Sequence, residues 1–236
     1  MVVTDVVPTP VGPTGPRAAG PAWSRWVGMF LGRVVWHAEV SGVERVPRTG
    51  PVVLAANHTG VADGPLLFGV APRPVHILVK EEMFHGLVGF FLRAAGQIPT
   101  DRAVGRSALL SGLAVLRRGG AVGIFPEGDR GRGAVETIRA GAAWLAVTGG
   151  VPLVPVAILG SRRSGESLGH LPHLRRRLVI EFGEPLLPDT TGTRRQQVEP
   201  TSDRLRLAMS ALVVDAQRRT GLTLPEDDPH RDVDTD

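Results

Sequence analysis

The sequence contains no cysteine and no tyrosine, and Lys80 is the single lysine among its 27 basic residues. Without cysteine the chain forms no disulfide and offers no thiolate as a nucleophile or as a ligand for zinc or iron–sulfur clusters. Because almost every positive charge is a guanidinium, the composition favours bidentate binding of phosphates or carboxylates over binding by point charges. An arginine-rich coding bias would produce the same count.

Long apolar runs are also missing. A membrane-spanning helix needs roughly 18 consecutive apolar residues, and the nearest stretch, Trp23 to Trp36, is interrupted by Arg25 and Arg33. Residues 1–20 lack the basic segment and the small-residue cleavage site of a signal peptide. We therefore predict a cytoplasmic protein, bound peripherally to the cytoplasmic face of the cell membrane if the stretch from Trp23 lies in the interface.

The 236 residues, 42% hydrophobic and 21% charged, have the composition of one globular domain. Residues 225–236 carry six acidic residues and one arginine, and without them the net charge rises from +4 to +9, which predicts an anionic partner. We predict a disordered segment at 1–20, an amphipathic membrane-associated helix at 21–38, a folded domain at 39–222 and a disordered acidic tail at 223–236.

Short β-branched runs alternate with helical stretches, a pattern that predicts an α/β fold. The predicted strands are 52–56, 75–79, 121–125, 154–158 and 178–182. The predicted helices are 82–95, 103–118, 136–148 and 202–219. We expect a single domain with a mainly parallel or mixed sheet flanked by helices.

The stretch from Trp23 to His37 is predicted to be amphipathic. At 100° per residue, one arc of about 140° contains six apolar side chains: Trp23, Trp26, Val27, Phe30, Leu31 and Val34. Two tryptophans with flanking arginines favour a helix in a membrane interface, although a helix packed on the domain would show the same stripe. The apolar stretch 83–92 is a second candidate for membrane contact.

Several familiar catalytic motifs are absent. The sequence has no Walker phosphate loop, no G-x-S-x-G nucleophile elbow, no G-x-G-x-x-G after a strand and no H-E-x-x-H. A weak signal remains after the first predicted strand, where His58 is followed five positions later by Asp63. In a turn at a helix start, Asp63 would hold one imidazole nitrogen and leave the other to accept a proton. A capping aspartate beside a structural histidine is the alternative.

Four segments in a fixed order strengthen this signal. They are N-H-x-x-x-x-D at 57–63, G-Q-I-P-T-D-R at 96–102, F-P-E-G-D-R at 125–130 and V-P-L-V-P-V at 151–156. Together they resemble the blocks of the glycerolipid acyltransferase family typified by 1-acylglycerol-3-phosphate acyltransferase. The resemblance extends over residues 40–187.

The resemblance implies that His58 is the general base and that Asp63 orients it. The residues implied to bind the acyl acceptor are Lys80, Arg102, Glu127, Gly128 and Arg130. Arg130, together with Lys80 or Arg102, would bind the acceptor's phosphate. No metal and no cofactor is implied, since acyl-CoA or acyl carrier protein enters as a co-substrate. We further expect backbone amides of residues 59–61 to stabilise the oxyanion.

These residues have structural alternatives, and one departs from the family pattern. Arg102 and Arg130 each follow an aspartate and would form weak surface ion pairs, Glu127 would cap a helix, and Lys80 would extend to solvent. Arginine groups such as 162–163 are expected on solvated faces. Asp129 replaces the family's usual threonine, and its charge would oppose a phosphate beside Arg130.

The resemblance therefore implies an O-acyltransferase that moves a fatty acyl group from a thioester to 1-acylglycerol-3-phosphate at the membrane surface. The alternatives are the same chemistry on another hydroxylated lipid or glycolipid, and a non-catalytic membrane-binding protein. A nucleic-acid partner is not expected, because aromatic residues make up only 5% of the chain and no binding motif is present.

Overall fold

The computed structural model describes residue 16 and residues 20–100, 105–188 and 191–227. Within these ranges the strands are β1 (His37–Ser41), β2 (Val52–Ala56), β3 (Val75–Lys80), β4 (Ile98–Thr100), β5 (Ala121–Ile124), β6 (Leu153–Leu159) and β7 (Arg177–Phe182). The helices are α1 (Gly20–Phe30), α2 (Asp63–Val70), α3 (Gly86–Ala94), α4 (Gly105–Arg117), α5 (Gly141–Gly149) and α6 (Arg194–Thr220).

The strands form one mixed sheet in the order β1-β7-β6-β2-β5-β3-β4. All neighbours are parallel except β6 and β7. β2, β3, β5 and β6 therefore end at the same edge of the sheet. The predicted α/β fold with a mainly parallel or mixed sheet is confirmed.

The core lies on both faces of the sheet. α4, α5 and α6 pack on one face through residues such as Leu113, Leu145 and Met209, while α2 packs on the other through Leu66 and Leu67. Every residue of β2 is buried. A strand covered on both faces reads as a continuous apolar run, which is why the sequence of β2 shows no alternation.

α1 lies outside α2 and packs through small residues. A Cβ on Gly28 would meet Gly69 Cα at 2.6 Å, so the two backbones are in contact. Of the predicted apolar arc, Trp26, Phe30 and Val34 are exposed, whereas Leu31 packs against the core. After Phe30 the predicted helix continues only as a π-helical turn, 31–35, before β1 begins.

Some predicted elements differ from the structure. β1 and β4 were not predicted, because β1 (His37–Ser41) is mostly polar and half-buried at the sheet edge and β4 has three residues. The predicted helix 136–148 begins only at Gly141, and the predicted helix 202–219 already begins at Arg194. An N-terminal capping box of Thr193 and Gln196 accounts for the earlier start of α6.

The predicted domain bounds are only partly covered. β1 spans the predicted boundary between residues 38 and 39. Except for residues 16 and 20, the predicted segment 1–20 lies outside the described residues. Residues 223–227 of the predicted tail are described, and 228–236 are not. In the described ranges no helix has both the length and the hydropathy of a membrane-spanning segment.

Candidate active site

The polar residues of the site follow the ends of four parallel strands. β2 leads to His58, β3 ends at Lys80, β5 leads to the loop from Phe125 to Gly133, and β6 leads to Arg162. Open α/β sheets place their ligand sites at this edge because the carboxyl ends of the strands and the connecting loops meet there. Two groups of side chains result, which we call the base end and the charged end.

The base end is built around Asp63, the fully buried first residue of α2. Its Oδ2 accepts hydrogen bonds from His58 Nδ1 at 2.9 Å, from the Thr59 amide at 2.7 Å and from the Gly60 amide at 2.9 Å. A carboxylate that accepts from Nδ1 assigns the proton to that nitrogen and leaves Nε2 as the basic position. The spacing of five residues thus forms a turn.

This geometry corrects one expectation. Backbone amides of residues 59–61 were predicted to stabilise an oxyanion, but those of Thr59 and Gly60 donate to Asp63. The role of the Val61 amide stays a prediction. A carboxylate at the start of α2 also interacts favourably with the helix dipole. The two amides therefore hold the turn that carries His58.

The preceding residue, Asn57, fixes the turn to the sheet. Its Oδ1 accepts from the Ile158 amide at 2.7 Å and its Nδ2 donates to the Ile158 carbonyl at 3.1 Å. Beyond the end of β2, the Asn57 side chain thus makes the two hydrogen bonds to β6 that a further backbone pair would otherwise make. The fully buried amide satisfies its polar atoms in this way.

Phe125 and Glu127 complete the base end. The imidazole of His58 stacks on Phe125 with a centroid distance of 4.1 Å and an interplanar angle of 18°. Glu127 accepts from the His58 amide at 2.9 Å and from the Val135 amide at 3.4 Å. Burial raises the pKa of Glu127 to about 7, against the lowering effect of these two bonds. The carboxylate braces the loops and does not line the cavity described below.

The charged end contains Lys80, Asp129, Arg130 and Arg139. Asp129 forms ion pairs with Lys80 and, at 3.2 Å, with Arg139. Arg130 makes only long contacts, at 3.3 Å to the Leu168 carbonyl and 3.8 Å to Met83 Sδ. In the described part of the chain Arg130 has no carboxylate partner, so it is the cation best placed to receive an anion.

A cavity of about 460 Å³ joins the two ends. His58, Lys80, Gly128, Arg130 and Arg139 line it. Its apolar wall includes Phe68, Ile77, Val79, Val88, Leu92 and Leu109. The cavity therefore combines a histidine, cationic groups and an apolar surface, which suits an amphiphilic ligand with a negative charge.

The structure brings together most of the predicted site residues. His58, Lys80, Gly128 and Arg130 line one cavity, Asp63 lies directly behind His58, and Glu127 lies behind the loop. Arg102 lies outside the described residues, so its role stays a prediction. Gly128 has φ +83°, and a Cβ there would meet Arg139 Nε at 2.5 Å, so a glycine suits this turn.

Sequence reasoning missed Arg139, Phe125 and Arg162 as parts of the site. Arg162 was expected on a solvated face with Arg163, but its side chain is fully buried. The available signal was its place directly after β6, at the edge where β2 and β5 also end. Residue type alone does not distinguish a buried arginine from a solvated one.

A group of potential metal ligands lies outside this cavity, on the loop from β6 to β7. Among the described residues Glu166, His170 and His173 come within reach of one another. Arg176 occupies both oxygens of Glu166, and its hydrogen bonds lower the pKa of that carboxyl to about 2. The carboxylate is thus already paired, and the predicted absence of a metal stays a prediction.

Comparison with known proteins agrees with this arrangement. The sequence model of the Acyltransferase family matches residues 37–159, which contain His58, Asp63, Lys80 and the loop after β5. The chain belongs to the acyltransferase family. The resemblance of its four sequence blocks is confirmed, and the protein is an O-acyltransferase of this family.

Individual relatives support the assignment. This acyltransferase is 33% identical over 151 residues to a 1-acyl-sn-glycerol-3-phosphate acyltransferase of Bacillus subtilis, covering 63% of this chain and 73% of that protein. It is 33% identical over 124 residues to the human 1-acyl-sn-glycerol-3-phosphate acyltransferase beta, covering 50% of this chain and 45% of that protein. The chain thus spans less than half of the human relative.

A solved structure supports the fold. The crystal structure of the 1-acyl-sn-glycerophosphate (LPA) acyltransferase PlsC from Thermotoga maritima superposes with a TM-score of 0.63 at 20% identity, covering 82% of this chain and 81% of that one. The sheet and its helices are therefore the architecture that this acyltransferase shares with PlsC.

Proposed function

We propose that this acyltransferase moves a fatty acyl group from acyl-CoA or an acyl carrier protein thioester to the free hydroxyl of 1-acylglycerol-3-phosphate, giving phosphatidic acid. The observation that carries the proposal is the His58–Asp63 pair opening into a cavity with cationic groups and an apolar wall. The names of the curated relatives favour the same acceptor.

The proposed reaction needs no nucleophile from the protein. His58 Nε2 takes the proton of the acceptor hydroxyl, and the oxygen attacks the thioester carbonyl carbon. Asp63 stabilises the imidazolium that forms and keeps the ring oriented. The tetrahedral intermediate expels the sulfur, which takes the proton from His58 and leaves as a thiol. One C–O bond forms, one C–S bond breaks, and the proton ends on sulfur.

The two ends of the site have different roles in this proposal. Arg130 binds the phosphate of the acceptor, with Lys80 and Arg139 nearby, and Arg102 remains a further predicted phosphate ligand. The apolar wall receives an acyl chain. Binding both parts of the acceptor places its hydroxyl beside His58, which lowers the entropic part of the barrier.

The test is thiol release from palmitoyl-CoA by the purified chain, measured with 1-acylglycerol-3-phosphate, with other lysophospholipids and without acceptor. The wild type should release thiol only with an acceptor, and His58→Ala should lower the rate by about 10²–10⁴-fold. Circular dichroism checks that the variant is folded. A folded His58→Ala variant as active as the wild type would refute the mechanism.

A second candidate acceptor follows from Asp129. This carboxylate pairs with Lys80 and Arg139, which both line the cavity, so part of the positive charge is already neutralised. An acceptor with less negative charge, such as another hydroxylated lipid or a glycolipid, would suit this arrangement. In the acceptor series above, a higher kcat/KM for such a lipid than for 1-acylglycerol-3-phosphate would favour the second candidate.

We also propose peripheral binding to a membrane, at its cytoplasmic face in the cell. Trp26 and Phe30 of α1 and Leu87 and Phe90 of α3 are exposed by 57–72%. The Trp23 indole donates to the Ala94 carbonyl at the end of α3, so the two apolar surfaces adjoin. Exposed aromatic residues on adjoining amphipathic helices suit insertion at the headgroup level.

Cosedimentation with phosphatidylglycerol vesicles tests the membrane proposal. Trp26→Glu combined with Phe90→Glu should reduce the bound fraction several-fold, because charge would enter the apolar interface. Leu207→Glu is the matched control, since Leu207 is 58% exposed on α6, across the sheet from α1. Equal binding by the double variant and the wild type would contradict the proposal.

A further inference from the structure

The buried side chain of Arg162 lies behind the base end and takes no part in the proposed chemistry. Its Nε donates to the Thr59 carbonyl at 3.0 Å, and one terminal nitrogen donates to the Gly131 carbonyl at 3.2 Å. The other terminal nitrogen donates to the Glu166 carbonyl at 3.1 Å. One guanidinium thus contacts the loops after β2, β5 and β6.

These contacts flank the backbone of His58. Thr59 follows it directly, and the Gly131 amide donates to the His58 carbonyl at 3.0 Å. The Thr59 hydroxyl is also within 2.7 Å of the Ser161 hydroxyl, next to Arg162. A displacement of Arg162 would therefore release both loops between which the imidazole is held.

A fully buried guanidinium is stable only when it is paired and its donors are satisfied. The charge partner is Asp227, whose Oδ2 lies 2.7 Å from one terminal nitrogen and whose carbonyl accepts from the other at 2.9 Å. Burial raises the pKa of Asp227, but the hydrogen bond and the charge of Arg162 outweigh it and hold the pKa below its ordinary value.

Asp227 belongs to residues 221–227, which we call the C-terminal strap. Leu222 and Leu224 of the strap pack on the core, and Leu224 also approaches Gly133 in the loop after β5. The Glu226 amide donates to Ser164 Oγ at 3.0 Å, and Asp227 accepts from the Gly165 amide at 3.3 Å. Both Arg162 and the strap lie beyond residues 37–159, which match the family.

We propose that Arg162 is a positioning residue for His58 and that the C-terminal strap holds it in place through Asp227. The proposal rests on the proposed role of His58 as the base. It assigns to residues after the family region a part in keeping the active-site loops aligned. Small displacements of a catalytic group cost large factors in rate, so the expected effect is on kcat and not on the binding of the acceptor.

The test compares Asp227→Asn, Arg162→Lys and the control Glu226→Gln. Asp227→Asn keeps the shape of the side chain and removes its negative charge. Arg162→Lys keeps the positive charge and removes the guanidinium that donates to the three loops. We expect kcat to fall about tenfold or more in both, with the acceptor KM within about twofold. Glu226 is the exposed neighbour of Asp227, and within the described residues its side chain forms no ion pair, so Glu226→Gln should match the wild type. Each variant is assayed well below its own melting temperature.

A spectroscopic readout separates positioning from stability and from turnover. ¹⁵N-histidine NMR spectra recorded without substrate show the signal of the imidazole proton on His58 Nδ1, which reports the hydrogen bond to Asp63. Its loss in His58→Ala assigns the signal. We expect it to shift or broaden in Asp227→Asn and Arg162→Lys. The proposal is wrong if either folded variant keeps both the wild-type kcat and the wild-type signal, even where its melting temperature falls.

The same readout keeps this proposal distinct from the proposed function. If the wild type releases no thiol with any acceptor, or if His58→Ala is fully active, the proposed function fails. The NMR comparison still shows whether the strap holds His58 against Asp63. If the proposed function passes its own test but Asp227→Asn and Arg162→Lys leave both the NMR signal and kcat at wild-type values, the proposed function is retained and the positioning role is wrong.

Discussion

The base end and the charged end of the cavity are built in opposite ways. Asp63 at the base end and Arg162 behind it are fully buried, and most of their partners are backbone groups. At the charged end Asp129 and Arg139 are 42% and 69% exposed, and Asp129 forms ion pairs with the charged side chains of Lys80 and Arg139. Buried bonds to backbone fix a geometry, whereas exposed ion pairs contribute little to stability and rearrange easily.

We infer from this difference that the base end and the charged end have separate roles in catalysis and in acceptor binding. The base end holds one imidazole in one tautomer, which every acyl acceptor requires. The charged end meets the part of the acceptor that varies, and a single residue such as Asp129 changes its charge. Substitutions at the base end should therefore affect kcat, and substitutions at the charged end should affect the acceptor KM.

The largest expected effect is that of Asp63→Asn. The neutral amide no longer stabilises the imidazolium and is a weaker acceptor for the Thr59 and Gly60 amides, so kcat should fall by about 10²-fold or more. The acceptor KM should stay near the wild-type value. Steady-state kinetics on protein with a wild-type circular dichroism spectrum checks this, and a kcat within threefold of the wild type would contradict the fixed geometry of the base end.

A smaller effect is expected for Arg130→Gln. Loss of the guanidinium removes a charge-assisted contact to the acceptor's phosphate, so the acceptor KM should rise about tenfold while kcat changes less. Arg132→Gln is the control, because Arg132 is an exposed arginine of the same loop. A fall in kcat without a rise in the acceptor KM would contradict the claim that the charged end acts on acceptor binding and the base end on turnover.

Asp129→Thr should change the acceptor KM by a few-fold. Removing the carboxylate frees Lys80 and Arg139 for an anion, so KM for 1-acylglycerol-3-phosphate should fall, and it should become more sensitive to salt because exposed charges are screened. Kinetics at low and high ionic strength measure this. If the substitution raises the KM, Asp129 assists the acceptor and the second candidate function gains support.

The last prediction concerns stability, not turnover, and involves Glu127. Its pKa is raised from 4.5 to about 7, so between these values the folded chain holds the proton more tightly than the unfolded chain. The contribution of Glu127 to the free energy of unfolding therefore decreases as the pH rises from about 4.5 to about 7. Above about pH 7 this contribution no longer changes with pH.

Glu127→Gln removes this contribution. Urea unfolding at pH 5, 6, 7 and 8 should show the variant gaining stability relative to the wild type up to pH 7 and none beyond it. All other titrating groups are common to both proteins, so the difference isolates Glu127. Parallel curves for the two proteins would mean that the carboxyl is not held in a buried environment.

Much of the fold and of the site was predictable because it is encoded locally. The buried strands β2, β3, β5, β6 and β7 appear as β-branched runs. Trp26 and Phe30 of the amphipathic stripe are exposed, and whether that stripe lies in a membrane interface stays a prediction. β1 and β4 escaped prediction because a polar edge strand and a three-residue strand carry too few local preferences and take their structure from pairing with neighbours.

The sequence by itself determined the α/β class, the family blocks and the residue types that the chemistry needs, since each depends on neighbours along the chain. Only the tertiary structure decided that Glu127 braces the loop carrying His58, that Asp129 pairs with Lys80, and that Arg162 is buried under Asp227. Those contacts join residues between 49 and 69 positions apart. Burial and pairing of a charge depend on which distant segments the sheet brings to one edge, and no local pattern records that.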